Sequence, residues 1–107
     1  MIECEYQQTA TLHMIADTYG INEQSRQCTE ELGECIVAIN KLHRARKSGT
    51  RKERKKWRKR LISEIADVLI MLMQMIHLLD CQEEVEAEVD RKIDRQIDRM
   101  RYTGMIQ

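Results

Sequence analysis

Residues 65–79 read IADVLIMLMQMIHLL, and their periodicity decides the fold. At about 100° per residue, Ile65, Leu69, Leu72, Ile76 and Leu79 form one stripe of a helix, and Met71, Met75 and Leu78 form a second. A helix that is apolar on two sides must be covered on two sides, one by its own chain and one by a second subunit. The run holds Asp67, Gln74 and His77 and is shorter than the roughly 20 residues that span a bilayer, so it is expected to be a buried helix and not a membrane anchor.

The rest of the chain agrees with helices throughout. Its 107 residues include no proline and only four glycines, and its apolar residues are mainly Leu, Ile and Met, which favours helix over sheet. That length makes one domain, residues 1–107, with a modest core that oligomerisation would enlarge. The fold class expected is all-α, a four-helix bundle completed by a homodimer or homotetramer.

Four helices are expected, at about 5–19, 22–46, 52–79 and 82–101. Gly20 ends the first as a left-handed cap, and Asn22 caps the second. The second carries a stripe of Cys28, Leu32, Cys35, Ile36, Ile39 and Leu42, and the fourth one of Val85, Val89, Ile93, Ile97 and Met100. KSGTRK, 47–52, is expected to be a mobile hinge. No CxxC pair occurs among Cys4, Cys28, Cys35 and Cys81, and they read as reduced core residues. The N-terminal MIECEYQQ lacks a basic region followed by an apolar core, so the expected location is the cytoplasm.

The formal net charge is zero, but it is unevenly divided. Residues 44–60, RARKSGTRKERKKWRKR, hold eleven bases and one acid, leaving seven bases and seventeen acids elsewhere. This segment is expected to be a flexible, solvated loop. Two functional readings stand beside that one: it binds nucleic acid through phosphates, with Trp57 stacking on a base, or it steers anionic nucleotides toward an acidic body.

Those acids are arranged in a way that invites a cation. TEELGE, 29–34, places Glu30, Glu31 and Glu34 within two helical turns, where like charges repel by a few tenths of a kcal/mol per pair. Glu64 and Asp67, in SEIAD, lie on the side of their helix that carries Met71, Met75 and Leu78. Antiparallel packing of the second and third helices would bring Glu31, Glu34, Glu64 and Asp67 together. Four converging carboxylates suit a hard divalent cation, Mg²⁺ or Mn²⁺, that keeps waters for a phosphate to replace. In a chain that is 34% charged, either acidic motif alone is more often a solvated face; the two together, each flanking an apolar stripe, weigh metal and a solvated face about equally.

The order EExxE (Glu30, Glu31, Glu34) then ExxD (Glu64, Asp67) resembles the MazG-like all-α nucleoside triphosphate pyrophosphohydrolases. The likeness extends through QSRQCTEELGECIVAINKL and SEIADVLIMLMQM, and to Lys92, Gln96 and Arg99, with Gln96 where the family pattern has Asn. It implies Glu31, Glu34, Glu64 and Asp67 as Mg²⁺ ligands, with Glu30 holding or deprotonating the attacking water. Lys92, Gln96 and Arg99 would contact the phosphates of the nucleotide. The activity implied is hydrolysis of an NTP to its monophosphate and pyrophosphate, as nucleotide-pool housekeeping. The rival is a nucleic-acid-binding or regulatory protein working through residues 44–60, although nucleic acid is the less favoured partner. His13, His43 and His77 share no spacing and read as packing or surface residues.

Overall fold

A computed structural model describes residues 6–107, with side chains from residue 8 onward. Cys4 and the expected helix start at Glu5 lie outside the described residues. The described chain is all-α, with three helices and no strand: α1, Tyr6–Ser48; α2, Arg51–Leu78; and α3, Gln82–Tyr102.

The first two expected helices are thus one run broken by a kink. Gly20 sits at φ 83°, ψ 168°, a conformation that only glycine adopts at low cost. Two helices meet at that residue, as expected, and the second is already helical at Ile21, one residue before the expected cap at Asn22. Beyond the kink the N-terminal arm lies against the end of α2. There the His13 and His77 rings stack at 3.8 Å, and His77 Nε2 is 2.9 Å from Asp17 Oδ1.

The expected hinge at 47–52 is a two-residue turn, Gly49 and Thr50. Thr50 caps α2 by accepting from the Glu53 N–H, and its hydroxyl donates to Glu53 Oε1. Gly49 N–H donates to Ala45 O, and Arg54 donates to Gly49 O. Residues 44–48 and 51–60 are helical, in keeping with the helices expected at 22–46 and 52–79 and against the flexible loop expected over 44–60.

The α2 C-terminus is closed by the Asp80 N–H on His77 O and the Cys81 N–H on Ile76 O, the two bonds of a Schellman motif. Its left-handed residue is Asp80, at φ 49°. The same pair of bonds ends α3, with Gly104 at φ 78°.

α1 and α2 form an antiparallel hairpin, while α3 barely touches α2 and makes no contact with α1. Buried Gln24, Cys28, Ala38 and Ala45 of α1 face buried Glu64, Met71 and Gln74 of α2, and Gln24 Nε2 donates to Gln74 Oε1 across the seam. The seam corrects the expected stripes. Small residues line it on the α1 side, whereas Leu32, Ile36 and Ile39 turn outward, with Ile36 59% exposed. On α2, Met71 faces inward and Ile62, Ile65, Leu72 and Leu79 face solvent.

In an antiparallel helix pair, residues one step C-terminal of the seam on either helix turn to the same side, because each chain winds right-handedly while running in opposite directions. Leu32, Ile36 and Ile39 of α1 and Ile65 and Leu72 of α2 therefore share one face of the hairpin. Residues one step N-terminal of the seam share the other, where exposed Val37 and Ile70 stand among polar residues.

By length and composition α2 is apolar enough to cross a membrane, and 17% of its most apolar window is buried within the chain. Its polar groups nonetheless meet α1, through Gln74 on Gln24 and His77 on Asp17. The apolar side of α3 is also uncovered, with Val89 39% and Ile93 56% exposed. The radius of gyration, 17.3 Å, exceeds the roughly 13 Å of a compact domain of this size.

Candidate metal centre and adjoining groove

The seam places acids from both helices together. One carboxylate oxygen from each of Glu31, Glu34 and Glu64 lies within 4.8 Å of the others. Glu31 and Glu64 are held alike, each by a donor one turn earlier on its own helix. Gln27 Nε2 donates to Glu31 Oε1 at 2.9 Å, and Arg60 Nε to Glu64 Oε1 at 3.0 Å. The second oxygen of each, Oε2, is buried without a hydrogen-bond partner. Glu64 is only 3% exposed.

Leaving a buried acceptor unsatisfied costs about 1–3 kcal/mol, more for a charged group. Two of them side by side, with a third carboxylate adjacent, form a site that a cation would stabilise. Glu34 registers the crowding. The charge on Glu31, then that on Glu64, pushes its carboxyl above the usual range, and Arg60 opposes the shift only in part. Three carboxylate oxygens at this separation fit a hard divalent ion with open positions for water or phosphate.

Asp67 remains outside the cluster, half-buried one turn farther along α2. The i+3 step from Glu64 rotates it about 60° from that side chain around the axis, and the seam is narrow. Glu30 is exposed and does not join the three acids, but it lines the groove beside them. Lys92, Gln96 and Arg99 are exposed on α3, which makes no contact with α1, so a single chain does not bring them to the acids.

An open groove of about 950 Å³ adjoins the cluster, with Val37, Ala38 and Trp57 among the residues lining it. Glu30, Glu34, Lys56, Lys59 and Arg60 also line it. Trp57 is half-buried, with Lys41 Nζ 5.8 Å and Lys56 Nζ 5.2 Å from its ring centroid. In sequence, Lys56, Lys59 and Arg60 stand as part of the basic run at the start of the expected helix 52–79, with no tie to the acidic site. Their signal was the seven-residue step from Trp57 to Glu64, which puts both on one side of a continuous helix.

Cys28 is buried, Cys35 and Cys81 half-buried, and all three are free thiols. Burial pushes the Cys28 thiol up, away from the reactive thiolate. No family model, curated protein or solved structure matches the chain.

Proposed function

We propose that the protein is a divalent-cation-dependent nucleoside triphosphate pyrophosphohydrolase of the MazG-like kind that its sequence resembles. The observation that carries this reading is the pair of donorless buried oxygens of Glu31 and Glu64 beside Glu34, which itself lines a groove carrying Lys56, Lys59 and Arg60.

Glu31, Glu34 and Glu64 would hold Mg²⁺ or Mn²⁺, with Asp67 one turn away as a further carboxylate. The ion, when bound, offsets the repulsion between carboxylates and polyphosphate and eases deprotonation of the attacking water. Glu30, exposed at the groove mouth, accepts that proton. Lys56, Lys59 and Arg60 bind phosphate oxygens along the wall and orient the chain of phosphates. Water then cleaves the α–β phosphoanhydride bond, giving a nucleoside monophosphate and pyrophosphate. The role suggested is housekeeping of nucleotide pools in the cytoplasm.

This reading includes an oligomer. The outward face of Leu32, Ile36, Ile39, Ile65 and Leu72 and the stripe of α3 are both too apolar to leave in water. A second copy, in a dimer or tetramer, would cover them and is the route by which Lys92, Gln96 and Arg99 would approach an acidic cluster.

The test is a screen of standard and damaged NTPs and dNTPs with Mg²⁺, detecting pyrophosphate. The reading expects release that requires the ion and disappears in Glu64→Gln. Metal-independent release, or none with any nucleotide, contradicts it.

A further inference from the structure

The basic hairpin tip is larger than a nucleotide needs. Eleven bases between residues 44 and 60 are all exposed, on the end of α1 and the first turns of α2. Trp57 is the wall common to two clefts. One is the groove leading to Glu34. The other, of about 220 Å³, runs toward the turn between Lys41, Arg44, Ser48, Gly49 and Glu53. A half-buried aromatic ring flanked by bases and shared by two clefts, each carrying more bases than acids, offers a stacking platform within a track for a chain of phosphates.

We infer that the hairpin tip binds single-stranded nucleic acid, its phosphates on the bases of 44–60 and one base stacked against Trp57. The inference does not depend on turnover at the acidic cluster. An anionic membrane fits less well, because interfacial helices insert apolar side chains. Within 44–60 the non-polar side chains are Ala45, which is buried, and Trp57, which lines the clefts.

Trp57 is the sole tryptophan, so its fluorescence reports the contact directly. The experiment titrates the full-length protein with a labelled single-stranded oligonucleotide of about 12 nucleotides, reading anisotropy and tryptophan emission across salt. Expected are a slope of log K against log salt of about −3 or steeper, for four or more phosphates, and a change in Trp57 emission on binding. Trp57→Leu should weaken binding about tenfold without changing the slope, while Trp57→Phe stays within about threefold. Neutralising Lys52, Lys55 and Lys59 to Gln should flatten the slope, with helix content checked by circular dichroism. Glu34→Gln should bind at least as tightly as the native protein. Failure of turnover with binding intact would sink the enzyme reading alone. Salt-independent or absent binding, an unchanged Trp57 signal, or equal affinity for Trp57→Leu overturns the inference. So does tighter binding, at matched salt, to duplex, to polyglutamate or to phosphatidylserine vesicles.

Discussion

Glu31 and Glu64, on opposite sides of the α1–α2 seam, each have one oxygen held by a donor one turn earlier and the other buried with no partner. Donors at Gln27 and Arg60 fix the direction of each carboxylate, as hydrogen bonds behind a metal ligand do. Removing either charge should relieve the cluster and disable it together. Glu64→Gln and Glu34→Gln are expected to raise the melting temperature of the metal-free protein, to abolish its further rise with Mg²⁺, and to lower turnover at least about a hundredfold. Calorimetry with and without Mg²⁺, beside steady-state kinetics, checks all three. Native activity in both variants would remove the acids from the mechanism.

The same crowding sets a pH dependence. Glu34 is held above its ordinary value of 4.5, so the folded state binds more protons than the unfolded one in the window from that value up to the raised one. Its contribution to stability therefore falls as pH rises through that window and stays low at neutrality. Metal-free protein is expected to gain stability as pH falls through that window, and Mg²⁺ should reverse the trend by favouring the ionised cluster. Urea unfolding across pH, with chelator and with Mg²⁺, measures both slopes. In Glu34→Gln this part of the pH dependence should vanish.

How much of this was legible in the sequence depends on the element. The limits of α2 and α3 follow from the capping residues, with Thr50 and Glu53 at one end of α2 and Asp80 and Gly104 in the left-handed positions that close α2 and α3. Periodicity located the apolar stripes but not which of two adjacent stripes meets the chain's own neighbour. The helices approach on the small side chains of Cys28, Ala38 and Ala45, which leaves Leu32, Ile36 and Ile39 outside. Glu31, Glu34 and Glu64 were legible because their spacing keeps them at the seam, whereas Asp67 needed the crossing geometry. The Trp57 groove and the His13–His77 stack join residues on different helices, and no local pattern marks them.

Interface variants separate the two stripes of α2. Leu72 is 41% exposed on the apolar face, so Leu72→Glu is expected to leave the α1–α2 hairpin folded and shift sedimentation toward monomer. Met71 is 6% exposed within the seam, and Met71→Glu should instead unfold the hairpin, because it buries an unpaired charge. An unchanged sedimentation coefficient for Leu72→Glu, at concentrations where the native protein is oligomeric, would contradict the assignment of that face.

Two turn residues make opposite predictions. A Cβ on Gly49 would lie 2.7 Å from Ala45 Cα and 2.8 Å from its carbonyl oxygen, both backbone atoms that cannot swing away. Gly49→Ala should cost about 1–3 kcal/mol. Asp80, at φ 49°, occupies a position that favours glycine, so Asp80→Gly should gain up to about 1 kcal/mol. Urea midpoints at fixed protein concentration test both, and a stabilised Gly49→Ala would refute the tight turn.

The most direct test of the account is the identity of the products. Incubation of the protein with an NTP it turns over and Mg²⁺, followed by chromatography of the first products, should show nucleoside monophosphate and pyrophosphate in equal amounts, with neither formed when chelator replaces Mg²⁺. Nucleoside diphosphate and orthophosphate as first products, or cleavage that persists in chelator, would contradict a metal-dependent pyrophosphohydrolase built on Glu31, Glu34 and Glu64.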